Sequence, residues 1–179
     1  MQELVKFNRP KVIDLLTARL TFERVGVKLY DSIIAKLQAS GDAQAQRMLD
    51  TLKEHRDEEK EHEEWLEEQL RALGADAHGT TEMSELESRE SKGIEDVILD
   101  GDNEISHLMH ALLTAELADN AGWDLLVTLA DEAGDRDAKK AFKKRLHEEE
   151  EHLIFARRAV QKIARRDVLG EQVSMPTWP

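Results

Sequence analysis

Glu58-Glu59-Lys60-Glu61-His62 and Glu148-Glu149-Glu150-Glu151-His152 share the spacing Glu-x-x-His, and these two stretches decide how the 179-residue chain is read. Positions three apart on an α-helix lie on one side, one turn on. Glu59/His62 and Glu149/His152 can therefore each offer a carboxylate oxygen and an imidazole nitrogen to one ion. Upstream, Leu20-Thr21-Phe22-Glu23 matches Leu113-Thr114-Ala115-Glu116, so each half brings a lone Glu before its pair. The offset from lone Glu to paired Glu is 36 residues in the first half and 33 in the second. Such a doubled pattern is the signature of a carboxylate-bridged dinuclear metal site inside a four-helix bundle.

The apolar spacing around these residues predicts four long helices. Asn8 and Pro10 mark the start of the first, whose seam runs Ile13, Leu16, Leu20, Glu23, Val27, Tyr30, Ile34 and Leu37. Gly41 ends it, and Asp42 caps a second helix that stops at Gly74, with seam Met48, Leu52, His55, Glu59, His62, Leu66 and Leu70. Residues 75–101 break the pattern, save that the run Ile94 to Leu99 is able to form a short helix. A connection this long runs the length of a bundle and leaves the second and third helices parallel. The third helix starts near Asp102, with seam Ile105, Met109, Leu112, Glu116, Asp119, Trp123, Leu126 and Ala130. After Gly134 and Asp135, the fourth carries Phe142, Leu146, Glu149, His152, Ala156 and Ile163. The reading is one domain over residues 1–179: a bundle over about 9–166, a crossover at 75–101 and a short broken tail at 167–179.

Composition agrees. Charged residues reach 35% and aromatics 4%, with little Gly or Pro, which favours long helices over sheet. The net charge of −13 repels phosphate backbones and excludes nucleic acid as a partner. The absence of cysteine excludes disulfides, thiolate zinc sites and iron–sulfur clusters. With no apolar leader and no 18-residue apolar run, the expectation is a soluble, cytoplasmic protein without membrane contact.

Six mid-seam residues, Glu23, Glu59, His62, Glu116, Glu149 and His152, are thus expected to converge as metal ligands. Four carboxylates in a dry interior must take up protons or bear desolvation costs on the order of several kcal/mol each. Two divalent cations neutralise all four. Oxygen-rich ligation with one imidazole per ion suits iron or manganese, and zinc also binds such a set. Glu-x-x-His alone is weak in so acidic a chain: Glu104/His107 also matches, without a partner repeat. Tyr30 and Trp123 each follow the lone Glu of their half by seven residues, and Tyr30 is the candidate to hydrogen-bond a ligand carboxylate or supply an electron. Asp119 is a possible extra ligand, although its counterpart in the first half is Gly26. His55 either bonds a ligand or lines the bundle, while Trp65 and Phe155 read as core.

These residues resemble the ferritin-like superfamily, and bacterioferritins most closely. The family pattern, Glu then Glu-x-x-His, twice over with a long crossover between, is matched by Glu23, Glu59/His62, Glu116 and Glu149/His152 across residues 12–163. The Tyr seven after the first Glu is matched by Tyr30. The resemblance implies a ferritin-like four-helix bundle that binds two irons at these six positions and oxidises Fe(II) with dioxygen or hydrogen peroxide. It also implies a homo-oligomer, a dimer or larger. The haem-ligating Met that bacterioferritins place after the first Glu of the pair is Lys60 here, so no haem is expected. Rubrerythrins share the bundle but need cysteines that this chain lacks. Manganese catalases use a similar ligand set, so peroxide dismutation on two manganese ions is an alternative, and a non-catalytic metal-binding bundle is another.

Overall fold

The computed structural model describes residues 1–170, and the expected tail beyond Gly170 lies outside the described residues. Every regular element there is helical. The four long helices are α1 (Leu4–Ala39), α2 (Ala43–Ala72), α5 (Ile105–Glu132) and α6 (Arg136–Leu169). Between α2 and α5 lie α3 (Glu82–Glu90), α4 (Lys92–Glu95) and a π-helical turn, Asp96–Asp100.

Local chemistry sets the boundaries. Asp42 caps α2 by accepting from the backbone N–H groups of Gln44 and Ala45, and Asp135 caps α6 by accepting from Ala138. Gly74 and Gly134 sit at φ 66° and 69° and stop α2 and α5 in the left-handed conformation that glycine adopts most easily. Helix α1 begins earlier than the Asn8/Pro10 signal predicts. Its first turn starts at Leu4, held by Asp135, which accepts from the Glu3 and Leu4 N–H groups. The chain then kinks at Asn8 (φ −157°, ψ 79°), whose side chain accepts from Lys11 N–H and caps the main helix. Pro10 falls in the first turn after that cap, where its missing N–H costs nothing.

Cross-helix contacts fix the directions. Tyr30 meets Glu116 and Glu23 meets Trp123, so α1 and α5 are antiparallel. His62 meets Glu148 and Glu58 meets His152, so α2 and α6 are antiparallel too. With the turns joining α1 to α2 and α5 to α6, the order is up, down, down, up. The connection over 75–101 therefore does leave α2 and α5 parallel.

That connection is more structured than its sequence suggests. Thr81 and Ser84 form a reciprocal capping box that starts α3, and Asp14 on α1 accepts from Met83 N–H. Helix α3 packs on α1, and α1 has a second buried face, Ala18, Phe22, Val25 and Leu29, beyond the single seam expected. The α2 and α5 seams are buried at every position predicted; on α1 and α6, Ile13, Ile34 and Leu146 are only half-buried. Two apolar clusters result, one around Leu29, Ile33 and Met109, the other around Leu16, Leu66 and Phe142. The polar mid-seam residues lie between them. No described helix is long and apolar enough to cross a membrane.

Candidate metal centre

All six predicted ligands are buried and brought together. Glu23, Glu149 and His152 are 0% exposed, Glu59 and His62 1%, and Glu116 2%. Their ligating atoms form two overlapping sets, Glu59/Glu116/Glu149/His152 and Glu23/His62/Glu149, each within 4.8 Å. Glu149 belongs to both. Nδ1 of His62 lies 2.9 Å from Glu149 Oε1 and 3.4 Å from Glu23 Oε2. Nδ1 of His152 lies 3.2 Å from Glu149 Oε2, 3.4 Å from Glu59 Oε1 and 3.8 Å from Glu116 Oε2.

The histidines are aimed by two residues to which the sequence reading gave no role. Nε2 of His62 donates to Glu148 Oε2 at 2.9 Å, and Nε2 of His152 donates to Glu58 Oε2 at 2.8 Å. Each is the residue just before the Glu of the opposite pair, so the two helices exchange supports. With Nε2 engaged by the acid, Nδ1 points inward, where its lone pair would be free to bind an ion once the ring has lost its second proton. The signal was the repeat itself, which reads Glu-Glu-x-x-His in both copies.

The lone glutamates are held in the same crossed fashion. Tyr30 donates to Glu116 Oε1 at 2.6 Å, and Trp123 Nε1–H donates to Glu23 Oε1 at 2.9 Å. Tyr30 therefore touches a candidate ligand, as expected, and Trp123 does so too. Gly26 leaves room for Glu59: a Cβ there collides with Glu59 Oε2. His55 stacks on His152 with ring centroids 4.1 Å apart, and burial together with the His152 charge holds it down at about 3, a neutral ring. A groove of about 400 Å³ between α2 and α6, with Glu54, Glu151 and Arg158 at its walls, reaches His55. Trp65 is half-buried beneath the Arg145 guanidinium, which lies 3.7 Å from its ring centre, and Phe155 is core. Glu104 and His107 stay exposed, and His107 meets Asp102.

Asp119 is buried, but its partner is a residue the sequence reading passed over. Arg19, one turn before Glu23, lies inside the bundle with Nη2 3.4 Å from Asp119 Oδ1 and Nε 3.3 Å from Glu23 Oε1. An Arg at that seam-flanking position reads as a solvated surface charge; here Asp119 and Gly122 on α5 and the Phe22 ring lie against it.

The electrostatics are those of a cluster short of positive charge. Burial pushes Glu59 well above the ordinary carboxyl range, and Glu149 adds to the push. Burial also raises Glu116 to about 8, against the pull of His152. For His62 and His152, burial disfavours the imidazolium, but the surrounding carboxylates outweigh it and hold both well above the ordinary value. Buried Glu149 is kept low by these two imidazoles. Even so, Glu23 Oε2, Glu59 Oε2, Glu116 Oε2, both Glu149 oxygens and both inner Nδ1 atoms have no hydrogen-bond partner. Buried polar atoms are rarely left so. These orphaned atoms are the ones a pair of cations would take up.

No family model, curated protein or solved structure matches this chain. The functional reading therefore rests on the side-chain arrangement, whose donor set of oxygens with two imidazoles and no sulfur suits iron or manganese.

Proposed function

We propose that the chain is a ferritin-like diiron-carboxylate protein that oxidises Fe(II) with dioxygen or hydrogen peroxide. The observation that carries this reading is the meeting of two Glu-x-x-His pairs and two lone glutamates around a cluster of orphaned ligand atoms. One ion would sit at the His152 end with Glu59, Glu116 and Glu149; the other would sit at the His62 end with Glu23 and Glu149. An Fe(II) pair held by these residues would supply two electrons for reducing dioxygen or hydrogen peroxide. The chain's own residues position and neutralise. Glu149 joins the two ends, and the missing Cβ of Gly26 admits the Glu59 carboxylate to the cluster. Glu58 and Glu148 hold the imidazoles in one tautomer, while Tyr30 and Trp123 restrain Glu116 and Glu23. The two apolar clusters exclude bulk water from above and below.

The test is anaerobic loading with Fe(II) followed by exposure to dioxygen or to peroxide. Rapid yellowing, with about two Fe(II) consumed per chain in the first turnover, supports the proposal. Silence with iron but sustained oxygen evolution from peroxide after manganese loading assigns the same ligands to peroxide dismutation instead. Metal-dependent stabilisation with neither reaction reduces the protein to a metal-binding bundle.

A further inference from the structure

Glu23, Glu59, Glu116, Glu149 and Asp119 place five buried carboxylates in one volume, one more than two divalent cations neutralise. The oxygens of Glu23, Glu59, Asp119 and Glu149 by themselves lie within 4.8 Å of one another, a set able to hold a further cation. What stands beside that set is a side chain. Arg19 is 5% exposed, with Nε 3.3 Å from Glu23 Oε1, Nη2 3.4 Å from Asp119 Oδ1, and Nη1 donating to the Asp119 carbonyl at 3.4 Å. Its plane also lies over the Phe22 ring, 4.6 Å from the centroid. The seat is made by Gly122 on α5: a Cβ at that position collides with Nη1 and Cζ of Arg19. Arg145, the other guanidinium inside the bundle, is engaged by the Trp65 ring and the Ala141 carbonyl and offers the cluster no such contact.

We propose that Arg19 is a permanent cation built into the metal site, which cancels Asp119 and so sets the capacity of the cluster at two divalent ions. Five carboxylates and one guanidinium leave four negative charges, and two divalent ions bring the total to zero. A guanidinium is charged at every working pH, so the Arg19 charge, unlike that of the imidazoles, does not titrate. Asp119 is then a counter-charge to Arg19 and not a ligand. Arg19 is a positioning and charge-setting residue that acts through Glu23 and Asp119. The inference rests on the dinuclear reading above.

The test is a double-mutant cycle on Mn(II) binding by the full chain, read by calorimetry and by elemental analysis after gel filtration. Adding or removing a unit charge about 6 Å from a divalent ion shifts its affinity by about tenfold or more, even at the dielectric of water. Arg19→Gln is expected to tighten Mn(II) by that factor, mainly in the step nearer Glu23. Asp119→Asn is expected to weaken it by a similar factor. The double variant is expected to return to within about threefold of wild type. A merely structural Arg19 predicts loss of thermal stability with no tightening, and an Asp119 that ligates metal predicts a double variant as weak as Asp119→Asn. Either result overturns the inference. If Arg19→Gln does not fold, Gly122→Ala takes its place in the cycle. Its methyl group displaces the guanidinium toward Glu87, so tightening is again expected, and unchanged affinity in the folded variant is contrary. A wild-type chain that takes up no Mn(II) sinks the dinuclear reading and the inference together. Two ions in wild type with no tightening in the variants sinks the inference alone.

Discussion

The two ends of the carboxylate cluster are built from equivalent positions of the internal repeat, yet they differ in charge. At the His152 end stand Tyr30, His55 and Phe155; the corresponding positions at the His62 end are Trp123, Arg145 and Trp65. The crossed supports are conserved in kind: an N–H or O–H donor restrains each lone Glu, and a neighbouring acid holds each imidazole. The remaining neighbours are not. His55 is held neutral, and among the described residues no Arg or Lys forms an ion pair with the carboxylates around His152. The His62 end has Arg19 beside Glu23 and Arg145 over Trp65. A repeat can therefore preserve ligand geometry while the residues one turn away set a different field at each ion. The two metal positions are expected to be unequal, the His152 end filling first because the Arg19 guanidinium lies beside Glu23 at the other.

The strongest way to break this picture is to remove the residue common to both ends. Glu149→Ala is expected to abolish paired Mn(II) or Fe(II) binding, whereas Glu61→Ala, on the exposed flank of the other copy of the acidic stretch, leaves the count per chain unchanged. Equal losses in metal analysis would mean that the helical phase assigned to these acids has no bearing on binding. Next in size is the difference between the ends. Wild-type Mn(II) titrations are expected to show two steps, the tighter lost in His152→Ala and the weaker in His62→Ala. A single step lost equally in both would show that the asymmetry of charge has no consequence.

How much of this was legible beforehand follows from where the information sits. The six candidate ligands and the helical seams of α2 and α5 were readable because a three-residue spacing and an apolar period are local properties. Tyr30 was readable as a donor to some ligand carboxylate, but only the antiparallel pairing of α1 and α5 says that the carboxylate is Glu116 and that Trp123 answers it at Glu23. Glu58 and Glu148 stood in plain view within the repeat. In a run of acids, nothing local separates a support from a solvated neighbour such as Glu61. Helix α3 went unread because its capping box closes with Ser84, where the usual signal is Glu or Gln. Arg19 is a second omission, since its partners Asp119 and Gly122 lie on α5 and nothing local announces them.

Smaller effects sharpen the comparison further. Glu148→Gln and Glu58→Gln each remove the acid that orients one imidazole, and a loss of about 10- to 100-fold in metal affinity is expected for the step at the end concerned. Calorimetry of the two variants checks whether each loss stays at its own end. The pH dependence is smaller still, and its sign is fixed. Glu116, raised from 4.5 to about 8, binds a proton in the folded metal-free chain that the unfolded chain has released, so its contribution to stability falls across that window. His62 and His152 act in the same sense: their contribution is complete below the ordinary 6.5 and is lost as pH rises through their higher folded values. Glu148, lowered to about 2, has the opposite sign, but its change is finished by 4.5. Metal competes with those same protons. The difference in unfolding free energy between Mn(II)-loaded and metal-free protein, and with it the gap in Tm, is therefore expected to widen between about pH 6 and pH 8, the free energy by up to about 1.4 kcal/mol per pH unit for each group titrating. A constant gap in thermal melts across that range would separate metal binding from these groups.

The most direct measurement is an anomalous-difference map from crystals grown with Mn(II). The account predicts two peaks inside the bundle on either side of the Glu149 carboxylate, one next to His62 Nδ1 and one next to His152 Nδ1. Peaks confined to the surface acids, or none among the buried glutamates, would contradict it.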